Sequence, residues 1–101
     1  MVKEVRWTPE SIQAFDEIIK YLESDWTEKE ISAFVNATEV VVEFISVQPR
    51  MFRKTNLKNV HEALVTPHNL MIYKIYPRHI DIITFWDTRK NPKKKHRIIS
   101  K

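Results

Sequence analysis

The chain has no cysteine and no glycine among its 101 residues. Without cysteine there are no disulfides, no thiolate metal ligands and no thiol nucleophile, which fits a reducing compartment. Without glycine there is no P-loop, no glycine-rich dinucleotide turn and no nucleophile elbow. Nucleotide-cofactor chemistry is therefore not expected, nor is any cofactor. Glycine averages roughly 7% in globular chains, so the turns here must come from proline, asparagine, aspartate and histidine instead. No apolar run reaches the about 18 residues a transmembrane helix needs. The opening Met-Val-Lys-Glu-Val-Arg lacks the apolar stretch of a secretory signal, so a cytoplasmic location without membrane attachment is expected.

What is present is ordinary in amount and uneven in placement. Hydrophobic residues make up 43% and charged residues 30%, the balance of a globular protein with one core. Its length fits a single domain spanning residues 1–101. The net charge of +4 hides a division. Residues 1–47 hold 4 Lys and Arg against 10 Asp and Glu, and residues 48–101 hold 13 against 3. The basic half suits phosphate backbones or an acidic protein segment.

Local signals set the element order. Val2–Trp7 reads as a short strand. Thr8 is an N-cap, Pro9 suits the first helical position and Glu10 suits the positive end of the helix dipole. Ile12, Phe15, Ile18, Ile19 and Leu22 recur at helical spacing, and this helix should end near Ser24-Asp25. Thr27 to Glu30 is a capping box for a second helix. Its stripe is Ile31, Phe34, Val35, Val41, Val42 and Ile45, and Pro49 stops it. Residues 48–58 lack a period and read as a basic surface loop. Strands at 59–66, 70–76 and 79–86 follow, with turns at Pro67-His68-Asn69 and Pro77-Arg78. Turns this short make the meander antiparallel. Residues 88–101 read as a basic tail, loose or forming a short edge segment. The fold class is α+β, with an N-terminal strand and an α-hairpin packed on a small antiparallel sheet. The sheet's second face is expected to be concave and partly bare.

The opening Val5-Arg-Trp-Thr-Pro-Glu-Ser11, the helix hairpin with Tyr21-Leu22-Glu23 and the exit Ile83-Thr-Phe-Trp-Asp-Thr-Arg-Lys-Asn-Pro92 resemble the RelE/ParE superfamily of bacterial toxins. The resemblance runs over nearly the whole chain. It implies a growth-inhibiting toxin of a type II toxin–antitoxin module, associated with plasmid stabilisation and neutralised by a cognate antitoxin. It also implies one of two targets. ParE-like members poison DNA gyrase without nuclease activity, and RelE-like members cleave mRNA on the ribosome. A toxin fold that only binds an antitoxin is a further reading, and a homo-oligomer is compatible with all three.

Candidate residues follow from the chemistry of RNA cleavage, which needs a base at the 2′-hydroxyl, cations on the phosphate and an acid for the leaving oxygen. Metal ions are not required, and the four histidines show no metal-ligand spacing. By resemblance Arg89 matches the arginine after the last strand, and Arg53 or Lys54 the basic loop. His68 and His96 are the acid–base candidates, since histidine titrates near neutrality. The arginine of the middle strand is absent, His68-Asn69-Leu70 standing there, and so is the late tyrosine. These two vacancies favour the ParE-like side. Arg53, Lys90, Lys93, Lys94, Lys95 and Arg97 are candidate phosphate or partner contacts. Trp7, Trp26 and Trp86 are expected in the core rather than stacked on bases.

Overall fold

The protein is described from a computed structural model. It describes residues 2–88, so the candidates Arg89, Lys90, Lys93, Lys94, Lys95, His96 and Arg97 lie outside the described residues. The order is β1 (Glu4–Trp7), α1 (Pro9–Asp25), α2 (Glu28–Val47), β2 (Arg53–Lys54), β3 (Val60–Thr66), β4 (Asn69–Ile75) and β5 (His79–Asp87).

The helix starts follow their caps. The Thr8 side chain accepts the Ser11 N–H at 3.2 Å. Its hydroxyl also donates to the Ile82 carbonyl at 2.7 Å, which ties the start of α1 to the sheet. The Glu30 carboxylate accepts the Thr27 N–H at 3.2 Å, completing the capping box of α2. The second helix ends at Val47, two residues before Pro49, as the constraint on residues preceding proline requires.

Strands β2 to β5 form an antiparallel meander. The N-terminal strand then adds in parallel beside β5, with Val5 opposite Ile80 and Trp7 opposite Ile82. The result is one five-stranded mixed sheet in the order β1-β5-β4-β3-β2. The helix hairpin and three strands lie between β1 and β5, ample chain for the crossover that a parallel pair needs.

Both helices cover one face. Ile45, Ala63, Met71, Tyr73, Ile80 and Ile82 are fully buried there. Rings fill the space beside β1: Phe15 lies 5.3 Å from Trp7, 5.3 Å from Phe34 and 5.5 Å from Phe85. The buried face of α1 is rotated from its apolar periodicity. It is centred on Ser11, Ala14, Phe15 and Ile18, and this turns Ile12 outward to 55% exposure while Ile19 and Leu22 are only half-buried. Ser11 is completely buried because its hydroxyl donates to the Thr8 carbonyl at 2.8 Å, which removes the cost of burying it.

The second face is not bare at its centre. Val60, Ile72 and Trp86 are buried there, with Leu57, Leu70 and Ile83 packed around them. Residues 48–58, expected as a surface loop, include the two-residue edge strand β2. Asn59 closes that segment at φ 62°, the left-handed region, and is the one such residue described. In a chain without glycine, asparagine is a residue that tolerates this conformation.

Candidate functional site

Candidate chemistry gathers at two separate ends of the sheet. The first is the basic edge. Arg50, Arg53, Lys54 and Lys58 are all exposed on the segment that enters and leaves β2. Two buried rings hold this segment from beneath. The Tyr73 hydroxyl, on β4, donates to the Pro49 carbonyl at 2.6 Å. The His61 ring, on β3, stacks on Tyr73 at 5.8 Å and places Nδ1 3.0 Å from the Phe52 carbonyl. That distance assigns the proton to Nδ1, since a carbonyl can only accept. Burial raises the Tyr73 phenol above its ordinary value, so it stays a neutral donor. Thr55 adds a third tie, its hydroxyl donating to the Val60 carbonyl at 2.9 Å. Arg53 lies 3.7 Å from the carboxylate of Glu62, which is buried. Lys54 stands opposite His61 in the β2–β3 ladder.

The second is an apolar groove of about 750 Å³ where the helix hairpin meets the β3–β4 turn. Tyr21, Trp26 and Phe34 line its helical wall, and His68, Asn69 and Asp87 its sheet wall. Trp26 is 52% exposed rather than in the core. It sits between two helices whose ends are fixed within a few residues of it, so its ring stays at the tip. Trp7 is half-buried and Trp86 buried, as expected of both. His68 is exposed in the turn. The Thr88 N–H donates to the His68 carbonyl at 2.9 Å and the Thr88 hydroxyl to the Pro67 carbonyl at 3.2 Å.

The structure does not bring Lys54 and His68 together. His68 lies seven positions beyond His61, the residue opposite Lys54, and extended chain advances about 3.3 Å per residue, so the two candidates stand about 20 Å apart. The other histidines have structural surroundings. His61 is the buried pin described above, and His79 stacks on Tyr76 at 4.6 Å and lies 3.4 Å from Asp81. Among the described residues no group of three His, Asp or Glu is placed to hold a metal ion. No helix among them is long and apolar enough to cross a membrane. Sequence reasoning missed Tyr73 and Trp26. A tyrosine in a strand gives no sign of which carbonyl it reaches. The Asp25-Trp26-Thr27 junction did carry a signal, since an aromatic held between two helix ends has little core to enter.

The fold recurs in known toxins. The chain superimposes on the toxin fold of the chromosomal ParDE system from P. aeruginosa with a TM-score of 0.72 and 11% identity, covering 85% of this chain and 96% of that one. The E. coli DinJ-YafQ complex matches with a TM-score of 0.57 and 9% identity, over 86% of this chain and 93% of that one. The S. aureus YoeB-YefM complex matches with a TM-score of 0.54 and 17% identity, over 85% and 97%. No curated protein matches. At these identities the solved structures establish the fold alone. The family is established by the sequence itself: residues 5–92 match the profile of the ParE toxin of type II toxin-antitoxin system, parDE, which spans both helices and all of the sheet except Glu4, and the chain therefore belongs to that toxin family.

Proposed function

We propose that this toxin acts as a ParE-type, gyrase-directed protein without nuclease activity, working in the bacterial cytoplasm and held inactive by a cognate antitoxin. The observation that carries this reading is the separation of Lys54 from His68. Cleavage at one phosphate needs the base within hydrogen-bond reach of the hydroxyl and the cations on the same phosphate. Groups about 20 Å apart on opposite ends of a sheet do not serve one phosphate. The higher TM-score with the ParDE toxin than with the YafQ and YoeB structures supports the same side. The partner reading rests on the same structures, of the ParDE system and of the DinJ-YafQ and YoeB-YefM complexes. An antitoxin segment has two kinds of surface to use: apolar anchors for the groove, and acidic groups for Arg53 and Lys54 at the exposed edge of β2.

One observation favours the nuclease reading. Thr88 is bound to the His68 turn, and Arg89 is next in the sequence. A site using His68 and Arg89 alone would not need Lys54.

Induced expression with primer extension on a translated message separates the two. The expected result is growth arrest with DNA breaks and filamentous cells and no new 5′ ends in the message. Distinct ends within codons that disappear in Arg89→Ala or His68→Ala would overturn the gyrase reading. Loss of one preorganised cation typically lowers such a rate about 10²–10³-fold, so the disappearance would be unambiguous.

A further inference from the structure

The basic edge and the helix hairpin carry opposite charge. α1 holds five Asp and Glu and α2 holds four, against one Lys in each. From Phe44 to His61 there is no Asp or Glu, and Arg50, Arg53, Lys54 and Lys58 are all exposed within that stretch. Arg53 lies 3.7 Å from the Glu62 carboxylate. Arg50, Lys54 and Lys58 are in no ion pair among the described residues, and the Arg50 guanidinium makes a neutral hydrogen bond to Asn59 at 3.3 Å. A molecule charged in this way is turned edge-first toward a polyanion, with its acidic helices repelled.

The build of the edge selects the kind of polyanion. β2 is only two residues long, so a peptide strand added beside it would gain few main-chain hydrogen bonds. The one aromatic ring of residues 48–58, Phe52, is half-buried, which leaves no platform on which the bases of a single strand could stack. Arg53 stands opposite Glu62 and Lys54 opposite His61, so the two side chains leave the strand toward opposite faces and straddle the edge. A ridge with cations on both flanks suits the groove of a duplex, which has a phosphate row on either side. The Tyr73 and His61 bonds to Pro49 and Phe52 hold the backbone of this ridge before any ligand arrives, so little ordering is left to be lost on binding.

We propose that the basic edge is a contact for the phosphate backbone of duplex DNA, made without reading sequence. It rests on the gyrase-directed reading, since that target works on duplex DNA, and adds that the toxin touches the DNA itself. Arg50, Lys54 and Lys58 neutralise phosphates, and the acidic hairpin faces away and stays open to a protein. A contact of this kind is modest, with Kd on the order of 10⁻⁴–10⁻⁶ M at physiological salt. It strengthens where a protein partner holds the toxin beside DNA. An acidic antitoxin segment on Arg53 and Lys54 would take the same cations, so antitoxin and DNA exclude each other at the edge.

Fluorescence anisotropy of a labelled duplex, titrated with the full-length toxin over a series of salt concentrations, tests this without gyrase. The DNA contact and the gyrase reading can therefore fail separately. The logarithm of the binding constant should fall linearly with the logarithm of salt concentration. Each cation on a phosphate contributes about 0.9 to that slope, so Lys54→Gln with Lys58→Gln should lower it by about 1.8, equally on duplexes of unrelated sequence. Lys20→Gln with Lys29→Gln removes the same net charge from the hairpin and should leave the slope unchanged. Both pairs are exposed, and their circular-dichroism spectra should match that of the unaltered chain. No binding at low salt would overturn the proposal. So would an equal loss from the hairpin pair, which would reduce the effect to net charge, or tighter binding to a single strand than to the duplex. If the edge pair slows antitoxin association but leaves the DNA slope as it was, the edge belongs to the antitoxin and not to DNA. DNA breaks that persist in cells when this binding is absent would leave the gyrase reading standing and remove the DNA contact alone.

Discussion

The two ends of the sheet are positioned by different physics. At the groove end the placement is local. Thr27 and Glu30 cap α2 next to Trp26, and the Pro67-His68 turn sets the opposite wall. The cap spans three positions and the turn closes within a few residues, with a single distant tie, from Thr88 to Pro67 and His68. At the basic edge the placement is remote. Tyr73 holds Pro49 across 24 positions, and His61 holds Phe52 across nine. Local signals fix where a chain turns, and only long-range hydrogen bonds fix how a loop lies once it has turned. The basic edge should accordingly be the more rigid end and the one most sensitive to a single buried substitution.

That asymmetry can be broken most strongly at His61. The ring is buried, stacked and bonded to a carbonyl. His61→Ala leaves a cavity and an unpaired carbonyl, and should cost about 2–4 kcal/mol in urea unfolding. Amide exchange should quicken across residues 50–58 and stay unchanged around Trp26. Equal quickening at both ends would show that the ends are coupled and that the contrast is false.

The groove end can be probed at its cap. Thr27→Ala removes a hydroxyl that contacts the Glu30 carboxylate and should cost about 1 kcal/mol. Faster exchange should be confined to the first turn of α2. A loss above about 2 kcal/mol, the upper end for a cap, would mean that this end too is held by remote contacts.

Tyr73→Phe tests the remote tie without a cavity. It removes the bond to Pro49 and should cost about 0.5–1.5 kcal/mol. The pH dependence has a definite sign. Burial raises the phenol above the 10.0 of a free tyrosine, so above that pH the unfolded chain gives up a proton that the folded chain keeps. The stabilisation from keeping Tyr73 neutral is complete below pH 10.0 and is lost as pH rises toward the folded value. The Tyr73→Phe variant should lose this part of the alkaline slope. Parallel stability profiles for the two proteins above pH 10.0 would refute the buried-donor assignment.

The same contrast explains what was readable beforehand. The caps at Thr8 and Thr27, the stop before Pro49 and the turns of the meander were legible because each is a short-range conflict or match between side chain and backbone. The antiparallel meander followed from its short turns. The parallel docking of β1 beside β5 was not legible, because no local residue specifies a partner 75 positions away. The rotation of α1 was hidden by Ser11, a polar residue buried through a hydrogen bond that periodicity does not register. Trp26 was misplaced because aromatic character outweighed its position at a loop tip. At the candidate sites, the family resemblance pointed to Lys54 and residue type to His68. Their separation along the sheet was a matter of strand register, which composition does not contain.

The smallest effect on the fold should come from the basic edge's own charges. Lys54 and Lys58 are exposed, and neither is in an ion pair among the described residues. Arg53 is less suitable for the test, because it lies 3.7 Å from the buried Glu62 carboxylate and its removal would disturb that pair. Lys54→Glu with Lys58→Glu should change unfolding free energy by no more than about 0.5 kcal/mol per site. Its effect belongs to association. If the edge steers an acidic antitoxin segment, reversing two of its charges should slow the association rate and flatten its dependence on salt, while the dissociation rate moves less. Stopped-flow mixing with the cognate antitoxin at several ionic strengths reads both quantities. An unchanged association rate at low salt would assign antitoxin capture to the apolar groove alone and leave the basic edge for another anionic partner.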